Sequence, residues 1–519
     1  MQFCSVHGRF VSTTERTELH VLLIIKAESP TIEFITYNPI NVSSLKDKTA
    51  KGLLWGGIHN GFQQLLNLCF GIILGRILSP SEYGMIGMLS IFSLIASNLQ
   101  ESGFTSALAN RKERRPEDFT AVFWFNLVIS ISTYTLLYFL APYIAAFYET
   151  PALTPLARYA FLSFVIASFG TAHSAWLFCN LKVKEKAIIQ LTSLTISGIT
   201  GITMAFCGMS YWGLATQSIV YVGCNSILYW FFSGWRPTLH VTLQPLKEMI
   251  GFSSKILLTN IITHINNNIL SVILGKFYSE REVGLFNQAN KWTSMGYTTI
   301  QGMITSIAQP VLHNVADDIE RQRYIFRKML RFTAFVSFPC LFGLSLIATE
   351  FITVTITEKW IESAHLLQIL CVGGAFLPIQ SLYTNLLISK GRSGIYLCNT
   401  LLLGCAQIAS ALICYPYGFK VLVISYVCIM ILWTGFWHFH AHREIRLSLW
   451  DALKDILPFL LIAAGCMVAA GWVASFTHNI FVSLLVKILV ASLLYIACMV
   501  VSGSETFKEA IQYLLKKKG

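Results

Sequence analysis

Residues Ile73–Gly84 read ILGRILSPSEYG, and residues Ile273–Gly284 read ILGKFYSEREVG. At a fixed offset of 200, six of the twelve positions are identical and Arg76 is matched by Lys276. The same offset sets Asn60 on Asn260 and Asn67 on Asn267. Similarity at one long period marks an internal repeat. Around each copy lie apolar runs long enough to cross about 30 Å of hydrocarbon at about 1.5 Å per residue. Fourteen are found, near 53–75, 83–103, 119–141, 156–178, 188–208, 211–233, 251–275, 283–310, 332–356, 364–388, 395–415, 419–439, 453–475 and 479–501. The offset of 200 residues encloses six of these spans. Because six is even, the two copies share one orientation and are related by an axis along the membrane normal.

The composition agrees. Of 519 residues, 54% are hydrophobic and 12% charged, too few charges to cover a water-soluble protein of this size. The net charge of +12 would suit nucleic acid only if it clustered on one folded face, and it does not. Loops on alternate sides differ instead. One set holds twenty Lys and Arg, and the other only Arg76, Lys276, Arg281, Lys359 and Lys420. Positive charge is retained on the cytoplasmic side, so the richer set and both termini are placed there. Thirteen cysteines are scattered singly, with no C-x-x-C pair to suggest zinc or redox chemistry. Walker A, G-x-S-x-G and G-x-G-x-x-G motifs are absent, and loops of about 15 to 20 residues are too short to fold into a sugar-handling domain.

The stretch GRILSPSEYGMIGMLSIFSLIASNLQESGFTSAL (Gly75–Leu108), preceded by SLKDKTAKGLLWG (Ser44–Gly56), resembles the polysaccharide transporter family, the Wzx-type flippases of the multidrug/oligosaccharidyl-lipid/polysaccharide exporter superfamily. LGKFYSEREVGLFNQANKW (Leu274–Trp292) looks like that family's junction between the seventh and eighth spans. The resemblance implies an all-α polytopic membrane protein of about 14 transmembrane helices, with two pseudo-symmetric six-helix lobes around a central cleft plus two C-terminal helices. On this reading residues 44–240 and 241–440 form the lobes, 441–502 the added helices and 503–519 a basic cytoplasmic tail. Residues 1–43 are expected to be a disordered or spurious extension, since members of the family start near Ser44. The implied task is flipping undecaprenyl-diphosphate-linked oligosaccharides across a bacterial inner membrane, handing them to a polysaccharide polymerase and its chain-length machinery. Drug export, export of another lipid precursor, and a membrane glycan polymerase or ligase are the alternatives.

Candidate site residues follow from polarity inside apolar helices. Asn60, Gln63, Gln64 and Asn67 recur at helical spacing, and Asn260, His264, Asn267 and Ser271 repeat the stripe in the seventh span. Amides facing lipid would go unsatisfied, so both stripes are expected in the cleft, with packing between helices as the other use for them. Cations inside spans are costly, which singles out Lys291, Arg76, Lys276 and Arg158. Lys291 also matches a basic position of the family and would counter the diphosphate, whereas Arg76, Lys276 and Arg158 lie near span ends and can snorkel. Glu101 and Glu350 are the candidates for H+ or Na+ coupling, each also readable as a paired span-end acid, and Lys487 is expected at a partner interface or snorkelling. His438 and His442 have the spacing of a metal pair, but without the Glu of H-E-x-x-H they read as interfacial histidines, and no cofactor or metal is expected.

Overall fold

The computed structural model describes residues 42–101, 104–111, 114–239 and 244–516. The chain divides into two units, Met1–Thr49 and Ala50–Gly519, and the second carries the features below. The expected extension at 1–43 lies almost wholly outside the described residues.

Eighteen α-helices follow one another: α1 (Val42–Ile77), α2 (Pro80–Glu101), α3 (Phe104–Asn110), α4 (Pro116–Phe147), α5 (Leu153–Ala160), α6 (Leu162–Cys179), α7 (Val183–Phe206), α8 (Tyr211–Ser233), α9 (Gln244–Phe277), α10 (Glu280–Asn314), α11 (Ile319–Ile356), α12 (Ile361–Gly374), α13 (Leu377–Ser389), α14 (Ser393–Cys414), α15 (Phe419–Ile445), α16 (Leu449–Ala474), α17 (Ile480–Val501) and α18 (Glu505–Lys516). Among the described residues there is no strand. Each apolar run read from the sequence lies on one helix or on a consecutive pair. Eleven of the helical stretches are long and apolar enough to span a membrane. The three runs outside that set lie on α1, α8 and α10.

The residues shared by the two repeats have a local reason. Ser79 donates its backbone N–H to Glu82 Oε2 at 2.6 Å and its hydroxyl to the same oxygen at 2.8 Å, while the Glu82 N–H reaches back to Ser79 Oγ at 3.4 Å. In the second copy the Ser279 hydroxyl donates to Glu282, and the Arg281 N–H donates to Ser279 Oγ at 3.3 Å. The Ser-x-x-Glu of each repeat thus caps the first turn of α2 or α10, whose leading N–H groups have no partner within the helix.

The fourth span of each half is broken, as α5/α6 and as α12/α13. In the second half the cause is Pro378, which cannot donate to the Gly374 carbonyl and whose ring crowds it. In the first half fully buried Phe161 fills the joint. The two C-terminal spans pack on α11. Arg327 Nε bonds Asp455 Oδ2 at 2.7 Å, tying α11 to α16, and Lys487 Nζ meets Glu350 Oε1 at 2.5 Å, tying α17 to α11.

Candidate functional site

At the end of the bundle that holds few Lys and Arg, the two repeats are pinned together. The first turns of α2 and α10 cross with no room for a side chain: a Cβ on Gly84 would lie 1.6 Å from the Glu280 carbonyl oxygen, and one on Gly284 1.8 Å from that of Pro80. Close backbone approach at small residues is how helices pack tightly in lipid. Beside this crossing, the end of α1 docks on the end of α11. Arg76 donates to the Thr355 and Val354 carbonyls at 2.7 and 2.8 Å, Lys359 donates to the Arg76 carbonyl at 2.7 Å, and buried Trp360 donates to the Gly75 carbonyl at 2.8 Å. The end of α9 docks in the equivalent way on the end of α4, where Lys276 pairs with Glu149 at 3.0 Å and a Cβ on Gly275 would meet the Tyr148 ring at 2.7 Å. The repeated Gly-Arg and Gly-Lys pairs are therefore two halves of a seal.

Behind the seal lies a cavity of about 510 Å³. Helix α1 contributes Gln63 and Asn67; α2 Tyr83, Ile86, Gly87 and Ser90; α7 Leu194 and Ser197; α8 Leu214, Gln217, Ser218 and Tyr221; and α10 Asn287, Gln288 and Lys291. At about 1.5 Å per residue, Lys291 sits about 16 Å along α10 from its sealed end, near the middle of a membrane about 30 Å thick. Among the described residues the lining holds one cation and no carboxylate. Among the described residues no acceptor bonds the Lys291 ammonium, and the Gln288 Nε2 group is buried without a partner. All three apolar runs that fall short of membrane-crossing hydropathy contribute polar side chains to this cavity, Gln63 and Asn67 from α1, Gln217 and Ser218 from α8, and Asn287, Gln288 and Lys291 from α10.

Of the residues expected at the site, Gln63, Asn67 and Lys291 line the cavity together. Asn60 and Gln64 are exposed on α1 outside its lining. The α9 stripe does not share it: Asn260 and Asn267 are exposed, His264 is half-buried, and buried Ser271 donates to Asn287 Oδ1 at 2.8 Å from behind the lining. Asn266 and Asn268, which flank the stripe, bond the Thr400 carbonyl at 2.6 Å and the His264 carbonyl at 3.0 Å, acting between and along helices. Arg76 and Lys276 belong to the seal, and Arg158 lies over the Tyr138 ring at 4.2 Å while donating to the Tyr138 carbonyl at 3.3 Å. Glu350 is away from the lining and bound to Lys487, with the Ser483 hydroxyl donating to it at 3.0 Å. The Glu101 side chain lies outside the described residues. His438 Nδ1 is 3.2 Å from the Tyr383 hydroxyl and His442 Nδ1 2.7 Å from the Leu447 carbonyl, so the two rings serve separate partners.

Sequence reasoning missed Asn287 and Gln288 beside Lys291, and Gln217, Ser218 and Tyr221 on α8. Both groups have spacing i, i+1, i+4, one polar face per helix, and that pattern in a weakly apolar span was the available signal.

This arrangement defines a class. The lipid II flippase MurJ in an inward closed conformation superposes with a TM-score of 0.72 at 17% identity, covering 88% of this chain and 100% of that one. A multidrug resistance MATE family transporter of the MOP superfamily, inward-facing, superposes at 0.60 with 16% identity over 74% and 96% of the two chains. The fold is that of these multi-pass membrane transporters. Residues 73–365 match the polysaccharide biosynthesis protein family, and the chain belongs to that family. Lipopolysaccharide biosynthesis protein WzxC of Escherichia coli (strain K12) is 25% identical over 355 residues, 67% of this chain and 71% of that protein. Teichuronic acid biosynthesis protein TuaB of Bacillus subtilis (strain 168) is 24% identical over 447 residues, 84% of this chain and 91% of that protein.

Proposed function

We propose that this chain flips undecaprenyl-diphosphate-linked oligosaccharide units from the cytoplasmic to the periplasmic leaflet of a bacterial inner membrane, for assembly of a surface polysaccharide. The observation that carries the reading is the cavity near mid-membrane whose lining, among the described residues, holds the Lys291 ammonium as its one charge and no carboxylate. An anionic headgroup loses its hydration in hydrocarbon, and a fixed cation with amide and hydroxyl donors around it replaces part of that hydration. The polyprenyl chain stays in lipid. About 510 Å³ is within the range of small-molecule sites, enough for the diphosphate and the sugar next to it. Export of cationic drugs fits less well, since a cation would meet an uncompensated ammonium.

The seal lies at the end poor in Lys and Arg, which on the charge rule faces the periplasm, so this conformation is closed outward. Residues 44–240 and 241–440 rock as two lobes, and 441–502 travel with the second through their packing on α11. A proton or sodium ion drives the cycle. Polymerase and chain-length machinery take up the product in the periplasm.

The test is replacement of Lys291. Lys291→Ala should abolish or strongly reduce glycan export with normal protein in the membrane, and Lys291→Arg should keep part of it, since charge is retained with altered reach. Full export by Lys291→Ala would sink the reading.

A further inference from the structure

The two repeats are unequal at the positions that build the site. At the offset of 200, Ser271 and Asn287 of the second half correspond to Gly71 and Gly87 of the first. In the second half Ser271 donates to Asn287 Oδ1 at 2.8 Å, which leaves the Asn287 NH2 group to face outward from its own lobe. In the first half the two glycines leave notches, and the second half fills them. A Cβ on Gly71 would lie 2.8 Å from Lys291 Nζ, and one on Gly87 2.0 Å from Asn287 Nδ2. On the same helix Gln288 Nε2 is buried with no partner, 3.8 Å from where a Cβ on Gly75 would lie. Three N–H donors of α10, without acceptors among the described residues, thus enter a cavity whose other walls belong to α1, α2, α7 and α8.

We propose that Gly71 and Gly87 are positioning residues for the anion site, admitting Lys291 and Asn287 of the second lobe into the first lobe's cavity, so that the site is complete only while the outer seal is shut. The proposal rests on the reading that the cavity takes a diphosphate. Its consequence is directional. Parting of the lobes at the seal draws the ammonium out of the first lobe, and the diphosphate loses its counter-charge in the state from which it must leave. By linkage, a bound diphosphate must in turn favour the sealed state.

The experiment uses the full-length protein in lipid nanodiscs with farnesyl diphosphate as the probe. The wild type should bind it and Lys291→Ala should bind it roughly a hundredfold more weakly, an affinity still measurable; absence of wild-type binding would overturn the diphosphate reading and this proposal together. Gly71→Ala meets only the mobile tip of Lys291, so the protein should fold and unfold thermally like the wild type while binding roughly tenfold more weakly. Added to Lys291→Ala, it should cost nothing further. Wild-type affinity in Gly71→Ala, or an equal loss in both backgrounds, would overturn the proposal and leave the diphosphate reading standing. Linkage is read at Tyr148→Cys, a position buried in the seal. Farnesyl diphosphate should protect that thiol from an impermeant maleimide in an otherwise wild-type chain and not in Gly71→Ala, by mass spectrometry of the labelled peptide. Equal protection in both, or none in either, would overturn the state dependence.

Discussion

A lysine in the middle of a membrane needs a carboxylate or a ligand. Among the described residues Lys487 and Lys291 exemplify the two cases. Lys487 has Glu350 and the Leu346 carbonyl, whereas Lys291 faces a cavity of neutral donors and acceptors. The first should therefore be structural. Glu350→Gln or Lys487→Met alone leaves a buried charge unpaired and should lower stability by about 3 kcal/mol, while Glu350→Leu with Lys487→Met together should restore most of it. Thermal unfolding of the purified variants measures this, and a double variant no better than the singles would contradict the assignment. At this scale the sequence was half legible. Lys291, Gln63 and Asn67 stood out because polar groups in apolar helices require a reason. Arg76 and Lys276 read as span-end cations able to snorkel, and in the fold they serve the seal, because their partners are backbone groups of α11 and a carboxylate beyond α4, which helical spacing within α1 or α9 cannot reveal.

Among the elements, the crossing of α2 and α10 is the joint on which the sealed state depends. Gly84→Val or Gly284→Val drives carbons into opposing backbone, and the cost should exceed the roughly 1–3 kcal/mol of ordinary overpacking. Gly302, with nothing within 4 Å of its missing Cβ, supplies the control. Gly302→Ala should be neutral or stabilising by up to about 1 kcal/mol through helix propensity. Tolerance of valine at both crossing positions, read by thermal unfolding, would show that the repeats do not meet there. The repeat and the apolar runs exposed these helices in advance, because one periodicity governs both. The joint in the fourth span was hidden, because Phe161 keeps right-handed helical dihedrals and its N–H still donates to the Ala157 carbonyl at 2.9 Å, whereas the break in the tenth had a signal in Pro378.

For the whole molecule, the proposed orientation rests on charge asymmetry. Cysteines substituted at Arg114 and Arg323 should be labelled from the cytoplasm, and those at Glu149 and Lys359 from the periplasm. Periplasmic labelling at position 114 would invert the seal and the direction of transport with it. The expected lobes rest on a repeat of twelve residues. That the cavity is walled chiefly by α1, α2, α7 and α8 was not legible, because it depends on where the repeats differ, at Gly71 and Gly87, rather than where they agree. The central claim, that the protein moves a diphosphate-linked glycan across a bilayer, is tested most directly by reconstitution. Vesicles carrying a polyprenyl-diphosphate oligosaccharide with a fluorophore on the sugar are treated with a membrane-impermeant quencher, and the protected inner-leaflet fraction is followed over time. Wild-type protein should empty that fraction while Lys291→Ala leaves it near the level of protein-free vesicles; a protected fraction unchanged by the wild type would contradict the account.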